Sequence, residues 1–149
     1  MIIRNIDIKD SAIVRAKAQT MAATMYPELI PDIDKMHWLV RDACLTETSY
    51  ARVVGPVGDP GAVLIARVAN NIWAMKKHAS VMCWYSDIPG AGLALMRDFK
   101  KWVKATNGIV VAGFNDDCDL PLEAKMVALR VGFVRRGGAY LFFPRGVRK

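Results

Sequence analysis

The residues best suited to chemistry lie in a single turn, residues 89–92 (Pro-Gly-Ala-Gly), between an apolar run and an amphipathic segment. The run at residues 81–85 predicts a buried strand, and from Leu93 the apolar residues recur at helical spacing. The start of a helix presents unpaired N–H groups and the positive end of the helix dipole, and glycines let an anion approach the backbone. The turn therefore predicts either a phosphate-binding loop or a plain strand-to-helix connection.

Two familiar phosphate motifs do not fit this turn. A dinucleotide-binding fingerprint needs a third glycine, and Leu95 stands at that position after Gly90 and Gly92. A P-loop needs Gly-Lys followed by Ser or Thr, which is also absent here. Any anion site at this turn must therefore follow another pattern.

Residues 87–92 (Asp-Ile-Pro-Gly-Ala-Gly), here called the glycine loop, resemble the Q/R-x-x-G-x-G/A pyrophosphate loop of the Gcn5-related N-acetyltransferase (GNAT) superfamily. That family binds acetyl-coenzyme A (acetyl-CoA). Residues 131–133 (Val-Gly-Phe) are similar to its terminal L-G-F. The resemblance covers nearly the whole chain and is closest to short acetyltransferase-like proteins of tailed bacteriophages. It implies one domain, residues 1–149, with a mixed α/β fold: a mostly antiparallel central sheet with a splayed parallel pair, flanked by helices.

The resemblance also implies where the cofactor would bind. Coenzyme A would lie between the splayed strands, with its pantetheine arm along one strand and its pyrophosphate on the glycine loop. Asn115, which follows the next apolar run, would face the cofactor, although Asn also suits a turn or cap. The cofactor-binding positions implied in this way are Cys83, Trp84, Tyr85, Gly90, Ala91, Gly92, Leu93 and Asn115.

Two residues depart from the family pattern. Asp87 stands where the family usually has Gln or Arg, and its carboxylate would repel a pyrophosphate unless it turned outward. Ala128 stands where a Y-x-x-x-G-F arrangement places the tyrosine that often protonates the leaving thiolate. Tyr85 is then the candidate catalytic acid, although it suits a core aromatic as well; Ser86 and Tyr140 are further candidates.

Composition and charge set the broad class. A chain of 149 residues with 53% hydrophobic residues can bury one core, and no apolar run reaches the roughly 20 residues that span a bilayer. The first residues lack a signal-peptide layout, which predicts a cytoplasmic protein (host cytoplasm or virion, if viral). Three scattered cysteines predict neither a disulfide nor a metal site. The net charge of +7, concentrated in the C-terminal half, suits a phosphate-rich ligand, a nucleic acid or simple solvation.

Periodicity and turn residues predict the remaining elements. His78 is predicted to lie in a loop before the central strand, either solvated or as a catalytic base. Glu28, Asp32 and Asp34 could attract an amine, or simply stabilise helix dipoles. The predicted elements are a strand at residues 2–8, a helix from residue 10 or 11 to 26, a helix from 32, a hairpin at 49–54 and 62–68, a short strand or lid at 72–75, a helix from 93, a strand at 109–114, a helix at 122–131 and a hairpin at 133–136 and 139–143.

Two functions from different classes follow. The first is an acetyl-CoA-dependent N-acetyltransferase whose acceptor is an unidentified amine, on a small molecule or a protein. The second is a GNAT-fold phage protein with weak or no catalysis that acts by protein contacts, as a virion component or a binder of a host protein. A homo-oligomer is a further expectation. A nucleic-acid binder is a third, weaker reading, since no recognised motif supports it.

Overall fold

The computed structural model describes residues 1–28, 30, 32–46, 49–70, 76–115 and 121–146, and the predicted element at 72–75 lies outside this set. A 3₁₀ turn, Ile8–Asp10, connects the first strand to the first helix. In the part described, the chain forms β1 (Ile3–Asn5), α1 (Ser11–Met25), α2 (Ile33–Leu45), β2 (Tyr50–Val54), β3 (Ala62–Asn70), β4 (Lys77–Ser86), α3 (Ala91–Ala105), β5 (Ile109–Asn115), α4 (Leu122–Arg130), β6 (Val134–Arg136) and β7 (Ala139–Phe142).

The strands form one sheet with the order β1-β2-β3-β4-β5-β7-β6. Neighbouring strands are antiparallel except β4 and β5, which are parallel and joined through α3. A parallel pair needs a crossover of this kind, whereas the antiparallel pairs β2–β3 and β6–β7 are joined directly by turns. The predicted mixed α/β fold is therefore confirmed.

Helices cover both faces of the sheet. On β2 and β3 successive side chains point to opposite faces: Val53 and Val63 pack with α1 and α2, whereas Val54 and Leu64 pack with α3. Helix α3 buries Leu95, Met96, Phe99 and Val103 on one face, as its helical spacing predicts. Strand β4 alternates in the same way, because Cys83 packs on the α1–α2 side of the sheet and Trp84 packs on the α3 side.

A buried carboxylate fixes the N-terminal segment. Asp10 is fully buried and accepts two hydrogen bonds from the Arg4 guanidinium, at 2.7 and 2.9 Å. The backbone N–H groups of Asp7 and Gly58 also donate to it, each at 2.8 Å. Burial alone would raise the pKa of Asp10, but these hydrogen bonds outweigh it and hold the pKa below its ordinary value. The network ties β1 and the turn before α1 to the connection between β2 and β3.

Several boundaries differ from the sequence prediction. The first strand is limited to Ile3–Asn5, because Asp7 caps the 3₁₀ turn with its side chain. The strand before the glycine loop begins at Lys77 rather than at residue 81, so His78 lies in a strand and its prediction as a loop residue is wrong. Polar residues at the start of this strand hide it from a search for apolar runs. No helix among the residues described is long and apolar enough to cross a bilayer.

Candidate functional site

The parallel strands β4 and β5 separate part-way along their length. They pair at Lys77–Ile109, His78–Val111, Ala79–Ala112 and Ser80–Gly113, and this ladder ends at Ser80. Beyond it β4 stays paired with β3, and β5 with β7. On the β3 side the register shifts so that Met82 is an extra residue in β4, a β-bulge that bends the strand. The sheet therefore opens between the carboxyl ends of its two parallel strands.

A cavity of about 1350 Å³ occupies this opening and extends to both faces of the sheet. One part lies between the strand ends, the glycine loop and α4. The other part, here called the methionine arm, is lined by Met21 and Met25 of α1 and by Met36 and Leu39 of α2. A single cavity thus connects the turn that could hold an anion to a mostly apolar recess beneath two helices.

The glycine loop has the geometry that its sequence predicts. Gly90 caps α3 with φ of 78°, a left-handed conformation that favours glycine. Gly90, Gly92 and Leu93 line the cavity. The first helical hydrogen bond runs from Ala94 N to Gly90 O (3.1 Å), so the amides of Gly92 and Leu93 precede it and can donate to an anion. Ala91 is buried and its N–H donates to Ile88 O at 3.1 Å, so that amide already has a partner.

The three predicted positions on β4 line the cavity in different ways. Trp84 donates from Nε1 to Gly92 O at 3.3 Å, and this hydrogen bond connects β4 to the first turn of α3. Cys83 is buried, and burial raises the pKa of its thiol to about 12. A thiol with this pKa stays protonated at neutral pH, so Cys83 cannot act as a nucleophile and shapes the wall instead.

The Tyr85 hydroxyl already has an acceptor. It donates to Pro60 O at 3.1 Å, and Lys17 Nζ lies 5.0 Å from the centre of its ring. Burial raises the pKa of Tyr85, with a smaller opposing effect from Lys17. The phenolic proton is directed to the connection between β2 and β3, and the role of Tyr85 as catalytic acid stays a prediction.

Asp87 is turned to α1. Its carboxylate forms an ion pair with Lys17, and its backbone N–H donates to Gly61 O at 2.8 Å. The hydrogen bond to Asp87 raises the pKa of Lys17. The pair therefore offsets the negative charge that the sequence places in the glycine loop.

Neither position 128 nor Tyr140 offers a proton donor to the cavity. Ala128 is fully buried in the core beside Phe133, whereas Glu123, Ala124 and Val127 are the α4 residues on the cavity wall. Tyr140 is 3% exposed and stacks on Phe114 at 5.3 Å between ring centres. The Ser86 hydroxyl donates to Ile88 O at 2.7 Å. Ala128 and Tyr140 pack in the core, and the Ser86 hydroxyl is engaged in a local hydrogen bond.

His78 and Asn115 lie at the cavity. Asn115 ends β5 opposite Ala139 of β7, where the resemblance predicts it. His78 is half-buried, and within the described ranges its buried Nδ1 has no hydrogen-bond partner. The placement of His78 in the strand has little signal in the sequence, because Lys77 and Ser80 around it are also polar. Within the same ranges, no three His, Cys, Asp or Glu side chains form a group that could hold a metal ion.

Comparison with solved structures identifies the fold. A possible acetyltransferase from Clostridium difficile 630 has a TM-score of 0.71 and 14% identity, over 91% of each chain. A GNAT-family acetyltransferase from Streptococcus pneumoniae has a TM-score of 0.67 and 13% identity, over 94% of this chain and 95% of the other. The chain has the GNAT fold. An Arabidopsis thaliana protein in complex with acetyl-CoA has a TM-score of 0.65 and 12% identity, over 95% of this chain and 98% of the other.

These likenesses concern the GNAT fold alone. No family model matches the sequence, and no curated protein matches it significantly. The predicted similarity to phage proteins has no support in these comparisons and stays a prediction.

Proposed function

We propose that the protein is an acetyl-CoA-dependent N-acetyltransferase that acts on an amine. The observation that carries the proposal is the single cavity that joins the glycine loop to the gap between β4 and β5. It is supported by the GNAT fold and by the Arabidopsis thaliana neighbour, which was solved with acetyl-CoA.

The residues present fit such a cofactor. A pyrophosphate needs backbone donors and little negative charge, and the first turn of α3 offers the amides of Gly92 and Leu93. The ion pair of Asp87 with Lys17 reduces the repulsion expected from the loop carboxylate. The unpaired edges of β4 and β5 would hold an extended pantetheine arm by backbone hydrogen bonds, as an added strand is held.

Catalysis would depend mainly on positioning. When bound, acetyl-CoA supplies an activated acyl group that a neutral amine can accept. The gap would place the amine beside that group, which is the main contribution of many transferases of this kind. Histidine commonly accepts a proton in catalysis, and His78 is the imidazole on the cavity wall. Tyr85 and Ser86 are candidate acids on the cavity wall, but their hydroxyls donate to Pro60 O and Ile88 O, so protonation of the leaving thiolate is expected to be inefficient and turnover slow.

Two measurements test the proposal in sequence. Acetyl-CoA at about 100 times its dissociation constant should stabilise the fold by about 2.7 kcal/mol, which a thermal-shift experiment detects. Release of free thiol with a panel of amines then tests catalysis. No stabilisation by acetyl-CoA would refute the proposal. Binding without thiol release would favour the alternative, a GNAT-fold protein that acts by contact.

A further inference from the structure

The cavity reaches well beyond the glycine loop, and its far end has a distinct chemical character. The methionine arm is formed by Met21, Met25 and Met36 together with Leu39, and the neighbouring wall at α1 and its C-cap consists of Ala18, Ala22, Thr24 and Tyr26. Met21, Met36 and Leu39 also pack against the buried core of this face, so their positions are fixed by the fold. Methionine side chains are unbranched and polarizable, and they adapt to apolar groups of different shape.

Charge is scarce in this recess. Among the described residues that line the whole cavity, only Asp87 and Glu123 carry carboxylates, and Asp87 is paired with Lys17. The acids that the sequence offered as amine attractors do not line the cavity: Glu28, Asp32 and Asp34 are exposed. Asp32 instead caps α2 by accepting from Lys35 N at 3.0 Å. Glu123 belongs to α4, in the other part of the cavity, so a substrate with several ammonium groups would bury charges in the methionine arm without partners, which is costly.

We infer, on the basis of the proposed function, that the acceptor is a monoamine with an apolar alkyl or aryl body, and that this body lies in the methionine arm. An apolar recess also suits the chemistry, because removal from water disfavours the ammonium form of an amine and leaves its nitrogen lone pair free to attack. Nitrogen then forms a bond to the acetyl carbon, and the carbon–sulfur bond breaks with its electron pair on sulfur. The amine proton leaves to solvent or a nearby base, and the released thiolate takes up a proton from solvent to give the free thiol. The same recess therefore selects the substrate and favours its reactive form.

A homologous series of substrates tests this inference on the wild-type protein. The initial rate of thiol release is measured for linear alkylamines from propylamine to octylamine and for 2-phenylethylamine, with spermidine as the polycationic comparator. Each methylene that enters an apolar recess should raise kcat/KM by about three- to four-fold, until the arm is filled. Spermidine should be the poorest acceptor. A flat series, or a preference for spermidine, would overturn the inference.

Matched substitutions locate the apolar body. Met21→Gln and Met36→Gln nearly conserve volume and add a polar amide to the arm, so each should reduce the gain per methylene. Met126→Gln is the control, because Met126 is 61% exposed on α4 and lies outside the cavity wall. An unchanged series in both arm variants would place the apolar body elsewhere and refute the assignment.

Acetyl-CoA binding, measured by calorimetry on the same samples, separates the two proposals. If acetyl-CoA does not bind, the proposed function itself fails. If acetyl-CoA binds but turnover is undetectable, the affinities of the same amines for the CoA complex are measured instead. An affinity without chain-length dependence then overturns the inference about the acceptor and leaves the cofactor assignment intact.

Discussion

Lys17 of α1 and Asp87 of the glycine loop form an ion pair across 70 positions of sequence. The same lysine lies over the ring of Tyr85, so one side chain connects α1 to the end of β4 and to the loop. Helix α1, which lines the methionine arm, is thereby attached to the proposed pyrophosphate site. The pair also explains how the loop tolerates a carboxylate where the family usually has Gln or Arg.

Removing the cation should expose the charge of Asp87 to the cofactor. Lys17→Gln is expected to weaken acetyl-CoA binding by up to about five-fold, the scale of an exposed ion pair, and added salt should reduce the loss. Asp87→Gln in the Lys17→Gln background should restore affinity, as measured by calorimetry. Lys35→Gln, which removes the exposed pair with Asp32 at 3.7 Å, is the control. Equal losses in the single and double variants would show that Asp87 does not act on the ligand.

The glycine loop should not accept an acidic side chain at Gly92. An added Cβ there would meet the Trp84 indole and the Ser86 Cβ at 3.5 Å, an ordinary contact, so the fold should survive. Gly92→Glu places a negative charge at the helix start and should abolish the thermal stabilisation by acetyl-CoA. Gly138→Glu makes the same chemical change where nothing lies within 4 Å, and it should retain the full shift. A normal shift in Gly92→Glu would move the anion site elsewhere.

Tyr85→Phe should change stability more than catalysis. The substitution removes the hydrogen bond to Pro60 O, worth about 1 kcal/mol, and should lower Tm by a few degrees. Because the hydroxyl is directed to Pro60, kcat should fall by less than about ten-fold, below the 10²–10⁴-fold typical of a general acid. A loss of 10²-fold or more with unchanged acetyl-CoA affinity would identify Tyr85 as the acid.

A tyrosine at position 128 should damage the core. Ala128 is fully buried, so a phenol ring there would overpack its surroundings at a cost of about 1–3 kcal/mol or more. Ala124→Tyr is the comparison, since Ala124 is half-buried on the cavity wall one helical turn earlier. Chemical denaturation should show the larger loss for Ala128→Tyr. A stable Ala128→Tyr variant with faster thiol release would show that the wall can open to admit the ring.

Asp10 should make stability depend on pH in the acid range. Its pKa is lower in the folded protein than in the unfolded chain, so it contributes its full stabilisation above about pH 4. That contribution is lost as the pH falls through the folded pKa. Asp10→Ala should cost on the order of 3 kcal/mol at pH 7, and the difference from wild type should shrink toward pH 2. Asp42→Ala is the control: it removes an exposed contact to Arg67 at 4.0 Å and a hydrogen bond from Thr46 Oγ1 at 3.1 Å, and it should cost much less than Asp10→Ala.

Much of the architecture could be predicted because it depends on local signals. Apolar spacing marks α3, the Pro-Gly turn precedes it, and Gly137-Gly138 joins the last hairpin. The start of β4 could not be predicted, because its first residues combine a lysine, a histidine and a serine around one buried alanine. The Met82 bulge then breaks the alternation. Secondary-structure propensity also does not indicate which edge of a strand faces a cavity.

The candidate site was predictable in outline and not in its contacts. The positions on β4, the glycine loop and Asn115 could be located from a motif, and all of them except Ala91 line the cavity. Charge repulsion predicts that Asp87 turns outward from a bound pyrophosphate. Its partner Lys17 could not be predicted, because the position of Lys17 depends on how α1 packs on the sheet. The methionine arm could not be predicted either, because Met21 and Met36 have the spacing of ordinary core residues in two separate helices.

The short ladder between β4 and β5 has a consequence for how the molecule unfolds. Within the ranges that the structure describes, the ladder that connects the N-terminal strands to the C-terminal strands consists of four residue pairs. Helix α3 packs against β2, β3 and β4 and also against β5 and α4, so it holds the two halves together. Amide hydrogen exchange should therefore find α3 and β4 among the last segments to open, with β5–β7 released as a separate cooperative unit once α3 loosens. A ligand that bridges the gap would merge the two units into one.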